Sequence, residues 1–232
     1  EGGKISGNTA ENGGGGVYVK SGSFFMEDGE ISGNTAENGG GVYTADTFNM
    51  MGGTISGNTA SKYGGGVRVD SQGDVTIANG TISGNTAQYG GGVYSNANAA
   101  ADGTAKISIC NSAITSNTAT GTFGAGGVYC VTEIAISGNI DISKNMRDGA
   151  ESDVYAARGI MVTGALSDGT SFCLDSDSLK ADAVVATGVL TEADRSKFRV
   201  SNDAFSIVFV PAEGETAACI KLSKLPEARR TN

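Results

Sequence analysis

At 232 residues the chain has the length of one elongated repeat domain, built from 37 glycines, two prolines, no tryptophan and no histidine, with aromatics at 6%. The missing histidine removes the commonest general base and metal ligand, and so few aromatics make a poor composition for a sugar-stacking cleft. A net charge of −9, from 16 basic and 25 acidic residues, repels phosphate backbones and anionic lipid, so nucleic acid and membrane surfaces are set aside as partners.

No apolar run approaches the ~18 residues of a membrane span. Glu1 falls just before a repeat already under way, so we read the chain as a piece of a longer protein with other domains. The repeated phrase is Ile-Ser-Gly-Asn-Thr-Ala, a spacer, then Gly-Gly-Gly-Val-Tyr. It stands at 5–10 with Val17-Tyr18, at 31–36 with Val42-Tyr43, at 55–60 with Val67-Arg68, and at 82–87 with Val93-Tyr94. A looser copy at 114–119 precedes Val128-Tyr129, and a worn one, Ile142-Ser143-Lys144-Asn145, precedes Val154-Tyr155. The asparagines Asn8, Asn34, Asn58, Asn85, Asn117 and Asn145 are 26, 24, 27, 32 and 28 residues apart.

Each period holds three short strand signals separated by turn residues: Val17-Tyr18-Val19 and its equivalents, Phe24-Phe25-Met26 and its equivalents, and a third beginning at the motif isoleucine. A helical repeat is ruled out, because each glycine costs about 1 kcal/mol in a helix relative to alanine. The pattern predicts an all-β, single-stranded right-handed parallel β-helix. Its six coils, spaced ~4.8 Å, make a column roughly 29 Å tall. Alternation sends the outer residues of Val-Tyr-Val inward and the middle one outward. The motif asparagine carries two donors and an acceptor, so equal side chains one coil apart can bond in a continuous ladder. The glycines before each valine supply positive-φ turns and close coil-to-coil approach.

Two longer intervals mark insertions, an extended loop at 95–103 and a smaller one at 120–127, both small and polar enough to be tolerated length. We divide the chain into regular coils over 1–146, terminal coils and a cap over 147–226, and a tail or linker over 227–232. In the cap, Phe172-Cys173-Leu174 and Val184-Val185 are expected strands, and Thr191-Glu192-Ala193-Asp194 opens a short helix with threonine as N-cap. Phe205 to Val210 and Ala217 to Leu222 read as a closing hairpin, since an open β-helix end exposes unpaired edges. No Cys-x-x-Cys pair exists. If their apolar neighbours point inward, the Cys173 and Cys219 thiols point outward and a bridge is geometrically open, as is a set of four free thiols.

Gly-Gly followed by a β-former, alternating with an x-x-Asn element, resembles the repeat of the chlamydial polymorphic outer membrane proteins. Here isoleucine replaces that family's phenylalanine at 5, 31, 55, 82, 114 and 142, and Val-Tyr replaces Ala-Ile. The chain is also similar to glycine-rich β-helix repeats on large surface proteins of Gram-positive gut anaerobes. That likeness includes Asp153-Val154-Tyr155-Ala156 and Ile160-Met161-Val162-Thr163-Gly164-Ala165-Leu166. The resemblance implies a pectin-lyase-like fold, an extracellular or cell-surface location, and a stalk or adhesive role.

Polysaccharide lyases and glycoside hydrolases share that fold, and they form the alternative reading. They cluster aspartates with arginine or lysine on one strand face. The positions after Val-Tyr here run Val19-Lys20, Thr44-Ala45, Val69-Asp70, Ser95-Asn96 and Cys130-Val131, with no acidic pair on adjacent coils. Glu27-Asp28 and Asp46 read as solvated turn acids. Phosphate-binding glycine motifs and the Gly-Gly-x-Gly-x-Asp calcium repeat are absent, so neither a cofactor nor a metal is implied. A threonine file, Thr9, Thr35, Thr59, Thr86 and Thr118, is single and set beside a bend, unlike a flat ice-binding face. One column is left over for a partner: Tyr18, Tyr43, Arg68, Tyr94, Tyr129 and Tyr155, all at the outward position. Two readings of it stand: self-stacking that stabilises the strand, or an amphipathic strip for a host or matrix protein or glycan.

Overall fold

A computed structural model describes residues 2–97, 107–175, 183–201, 204–214 and 216–225. Over these the chain winds as a right-handed parallel β-solenoid of about seven turns with three sheets per coil. The period sets the register. Ile5 pairs in line with Ile31, Ile55, Ile82, Ile114 and Ile142, one per coil. Tyr18, Tyr43, Arg68, Tyr94, Tyr129 and Tyr155 align in the same way on the eight-stranded sheet.

Alternation fills the interior as expected. Ile31, Ile55, Ile82, Ile114 and Ile142, with Val42, Val67, Val93, Val128 and Val154, are buried, and so are Met26, Phe48 and Met50. Phe24 and Phe48 stack with ring centroids 5.6 Å apart. Stacking like on like keeps this core continuous, because each coil presents its neighbour with the same shape.

The coil differs from the expectation in two respects. The second and third strand files lie in one 13-stranded sheet. In later coils they fuse into single strands, Ile107–Thr115 and Ile134–Ser143, with a register shift between Cys110 and Ser112. The stretch after each asparagine, read as a bend and spacer, is itself paired. Thr35–Asn38, Thr59–Tyr63, Thr86–Ala87, Thr118–Ala119 and Met146–Arg147 form a third sheet, closed antiparallel by Ala150–Glu151. A threonine-alanine pair is too short to show alternation, and it is extended here because equivalents above and below pair with it.

Glycine has a distinct role at two places in the phrase. At the bend before the asparagine, Gly33 has φ 61° and Gly57 φ 61°, and in the worn copies Ser116 (57°) and Lys144 (58°) hold the same left-handed backbone. Before the valine, a Cβ on Gly40 would lie 2.5 Å from the Thr59 carbonyl oxygen. Coils could not approach there with any side chain.

The eight-stranded sheet runs on past residue 146 through Val154–Ala156, Phe172–Leu174 and Phe198–Val200. The cap then changes direction: Cys219–Lys224 pairs antiparallel with Val184–Gly188, and Phe205–Val210 pairs with Cys219–Lys224 as the expected hairpin. The short helix is a 3-10 turn, Glu192–Lys197. Thr191 is its N-cap, as expected, in a capping box with Asp194, whose carboxylate accepts from the Thr191 amide and hydroxyl. The buried Lys197 ammonium donates to Asp194 and to the Leu166 carbonyl, tying the turn to strand Ile160–Leu166. All four cysteines are free. Cys173 and Cys219 are buried rather than outward, in different sheets, so no bridge joins them. Residues 98–106 of the longer insertion and the tail at 227–232 lie outside the described residues.

Candidate functional site

Two polar or aromatic files run the length of the column, one inside and one outside. Asn34, Asn58, Asn85, Asn117 and Asn145 are fully buried, while Asn8 in the first coil is exposed. Each Oδ1 from Asn34 to Asn145 accepts two bonds at 2.9–3.0 Å from the preceding coil's asparagine, one from its backbone N–H and one from its Nδ2. The second Nδ2 proton goes to the preceding coil's motif isoleucine carbonyl at 2.8–3.0 Å. Every buried amide is therefore satisfied, which a buried polar group requires.

The ladder ends on a residue that sequence reading missed. Asp153 Oδ1 accepts from the Asn145 amide and Nδ2 at 3.1 and 2.9 Å, and its Oδ2 accepts from the Cys173 N–H at 2.8 Å. A carboxylate only accepts, so it can close a file of amides that must each pass a proton onward. Burial pushes the Asp153 carboxyl above its ordinary value against the opposing effect of those hydrogen bonds. Around it lie buried Ser152, bonded to Asp175 at 2.6 Å, and Arg199, paired with Glu151 at 2.8 Å. The aspartate occupies the asparagine's role eight residues after Asn145, so the six-fold spacing carried no sign of it.

Outside, the structure brings the column of Tyr18, Tyr43, Arg68, Tyr94, Tyr129 and Tyr155 together and adds Tyr63 and Tyr89 from the neighbouring sheet. All seven tyrosines of the chain thus share one corner. Tyr94, Tyr129 and Tyr155 stack almost flat, with centroids 5.0 and 4.7 Å apart and interplanar angles of 5° and 11°. Tyr63 and Tyr89 each stand directly before a Gly-Gly-Gly, 26 residues apart. That spacing was the signal available in the sequence.

Exposure along the column is uneven. Tyr18 is 56% exposed, Tyr43, Tyr94, Tyr129 and Tyr155 are half-buried, and Arg68, expected at the surface, is only 8% exposed. The cause is Tyr63, which covers the guanidinium from the side: Arg68 Cζ lies 4.8 Å from the Tyr63 and Tyr94 ring centroids and 5.9 Å from that of Tyr43. Its Nη2 is 3.6 Å from Asp70 Oδ1, while Nε and Nη1 have no hydrogen-bond acceptor and face rings instead. The Tyr43 hydroxyl donates to Asp70 at 2.5 Å. Burial, then that bond, pushes the Tyr43 phenol up to about 12, and burial followed by Tyr155 does the same for Tyr129.

The Arg68 guanidinium and the Asp70 carboxylate lie side by side in the strip and offset each other's charge. Stacked ring faces are turned to one another, so tyrosine edges and hydroxyls are presented outward. Beside it, the insertion at 120–127 carries Phe123, 67% exposed. Among the described residues no group of three or more cysteine, aspartate or glutamate side chains is placed to hold a metal, and no helix is long and apolar enough to cross a membrane. No family model, curated protein or solved structure matches the chain.

Proposed function

We propose that this chain is a non-catalytic, adhesive segment of a secreted or cell-surface bacterial protein, holding out the tyrosine corner to a host or matrix protein or glycan on a rigid column. The observation that carries the reading is the gathering of all seven tyrosines into one registered strip. Packing alone accounts for Arg68 and Tyr63. It does not call for hydroxyl-edged rings on five of the six aligned positions, where any β-former would pair equally well. Tyrosine suits a contact surface because it combines apolar area, a hydroxyl and few rotatable bonds.

The test is attachment of the folded protein to immobilised matrix proteins and a glycan array, comparing wild type with Tyr94→Ala/Tyr129→Ala. The expected result is a loss of roughly tenfold or more in apparent affinity with a native circular dichroism spectrum. Unchanged attachment in a folded variant reduces the strip to packing. Turnover of a polysaccharide, abolished by replacing one acid, would replace this reading by a catalytic one.

A further inference from the structure

Within the tyrosine corner one pair of rings is arranged unlike the others. Tyr94, Tyr129 and Tyr155 lie on neighbouring strands of one sheet and stack nearly flat, at 5° and 11°. Tyr63 ends the strand Thr59–Tyr63 in the third sheet and reaches Tyr94, one coil on, from across the corner. Their ring centroids are 4.6 Å apart, the shortest separation among the aromatic pairs of the described residues, and their planes are tilted by 39°. The hydroxyl ends converge as well. Burial pushes the Tyr94 phenol up, Arg68 opposes it, and the Tyr63 and Tyr89 hydroxyls push in the same direction as burial. One phenol acts on another in this way only at short range.

We infer that Tyr63 and Tyr94 form a site of oxidative cross-linking, at which hydrogen peroxide and a haem peroxidase join the two rings as dityrosine. This goes beyond attachment and needs no partner seated on the strip. Each phenol gives up one electron and its hydroxyl proton, leaving a radical shared between the oxygen and the ring carbons beside it. Two such radicals form one carbon–carbon bond between those ortho carbons, and each displaced ring hydrogen moves to its phenol oxygen. The two electrons and two protons reduce one hydrogen peroxide to two waters. Tilt selects the pair. Directly linked rings lie end to end with twisted planes, so their roots stand farther apart than the ~4.8 Å between neighbouring strands that carry the flat stack. Tyr63, rooted in another sheet, is free of that limit. Contact through Tyr89, Tyr63, Tyr94, Tyr129 and Tyr155 is unbroken, with centroids 4.6–5.6 Å apart, so a radical formed on any of them can reach the pair by electron exchange. Competing electron donors are few, since the chain has no tryptophan and Cys130, Cys173 and Cys219 are buried. With all four cysteines free, no disulfide ties one coil to the next. The new bond does so, at the corner where Gly64, Gly65 and Gly66 turn the chain.

Treating the whole chain, at high dilution, with hydrogen peroxide and a haem peroxidase tests the inference. Dityrosine fluorescence and mass spectrometry of the monomer and its protease fragments give the readout. The expected product is a monomer lighter by two hydrogens, in which the fragments carrying Tyr63 and Tyr94 are joined. Tyr63→Phe and Tyr94→Phe keep both rings and the packing but remove one phenol, and each should abolish the dityrosine signal of the monomer. Tyr155→Phe, at the far end of the flat stack, should retain it. Thermal melts establish that each variant is folded. A monomer that loses no hydrogen, dityrosine confined to dimers, a link mapped to another pair, or a signal undiminished in folded Tyr63→Phe would each overturn the assignment.

Discussion

The asparagine at the bend does the work of two backbone groups. Asn58 accepts from the Asn34 amide and Nδ2 and donates to Ile31 and Asn85. Asn58→Leu leaves the Asn34 backbone N–H and one Asn34 Nδ2 proton without an acceptor and removes a donor from the Ile31 carbonyl, while Asn85 Oδ1 keeps the backbone N–H of residue 58, at about 1–3 kcal/mol for each group that finds no substitute. A loss of at least ~3 kcal/mol is expected, seen as a melting temperature about 6–12 °C lower. An unaltered melting temperature would show that water replaces the amide. The terminal Asp153 adds a pH dependence. Its folded pKa lies above its ordinary value of 3.8, so the folded state binds the proton more readily than the unfolded chain does. Its contribution to stability is therefore most favourable below that value and falls as pH rises through the folded pKa. Urea midpoints of wild type and Asp153→Asn, measured from acid to neutral pH, should differ by an amount that changes across that window. A constant difference would mean that the carboxyl does not titrate there.

At the level of the coil, the bend and the triple glycine were legible from sequence because they recur, and the Phe-Phe-Met and Ile-Ser files because they alternate. The strand after the asparagine was not, since Thr-Ala has neither length nor period and owes its extension to neighbours above and below. Arg68 was misplaced for a related reason. A strand pattern tells inside from outside, but the residue that covers Arg68, Tyr63, comes from another sheet of the same coil. The worn copies give a separate test of the bend. Ser116 and Lys144 sit at positive φ where Gly7, Gly33 and Gly57 have open space around a notional Cβ, so only the backbone is strained. Ser116→Gly and Lys144→Gly should each stabilise by up to about 1 kcal/mol, net of glycine's greater freedom when unfolded. A rise of ~2–4 °C in melting temperature is expected. A fall would show that the side chains make contacts outweighing the strain.

For the whole molecule, stability accrues coil by coil, since each turn touches only its neighbours. Deleting residues 55–81 joins Thr54 to Ile82, positions already in register through Thr81, and places Tyr43 against Tyr94. The shortened chain should keep its β circular dichroism and unfold in a single transition. Collapse to a random-coil spectrum would mean that the third coil, with Arg68, is a nucleus the others depend on. The cap, with its antiparallel hairpin, was foreseen from the need to cover an open end, whereas its closing contacts through Asp153 and Lys197 were beyond reach because they join residues of unlike sequence. The ladder has one more consequence. Its side-chain amides all point the same way, carbonyl toward the first coil and N–H toward the cap. Their dipoles therefore add along the axis, as peptide dipoles do in a helix, and the positive end rests on the carboxylate of Asp153. The column thus has an electrical polarity fixed by its spine, and a coil inserted in the middle extends that polarity rather than interrupting it.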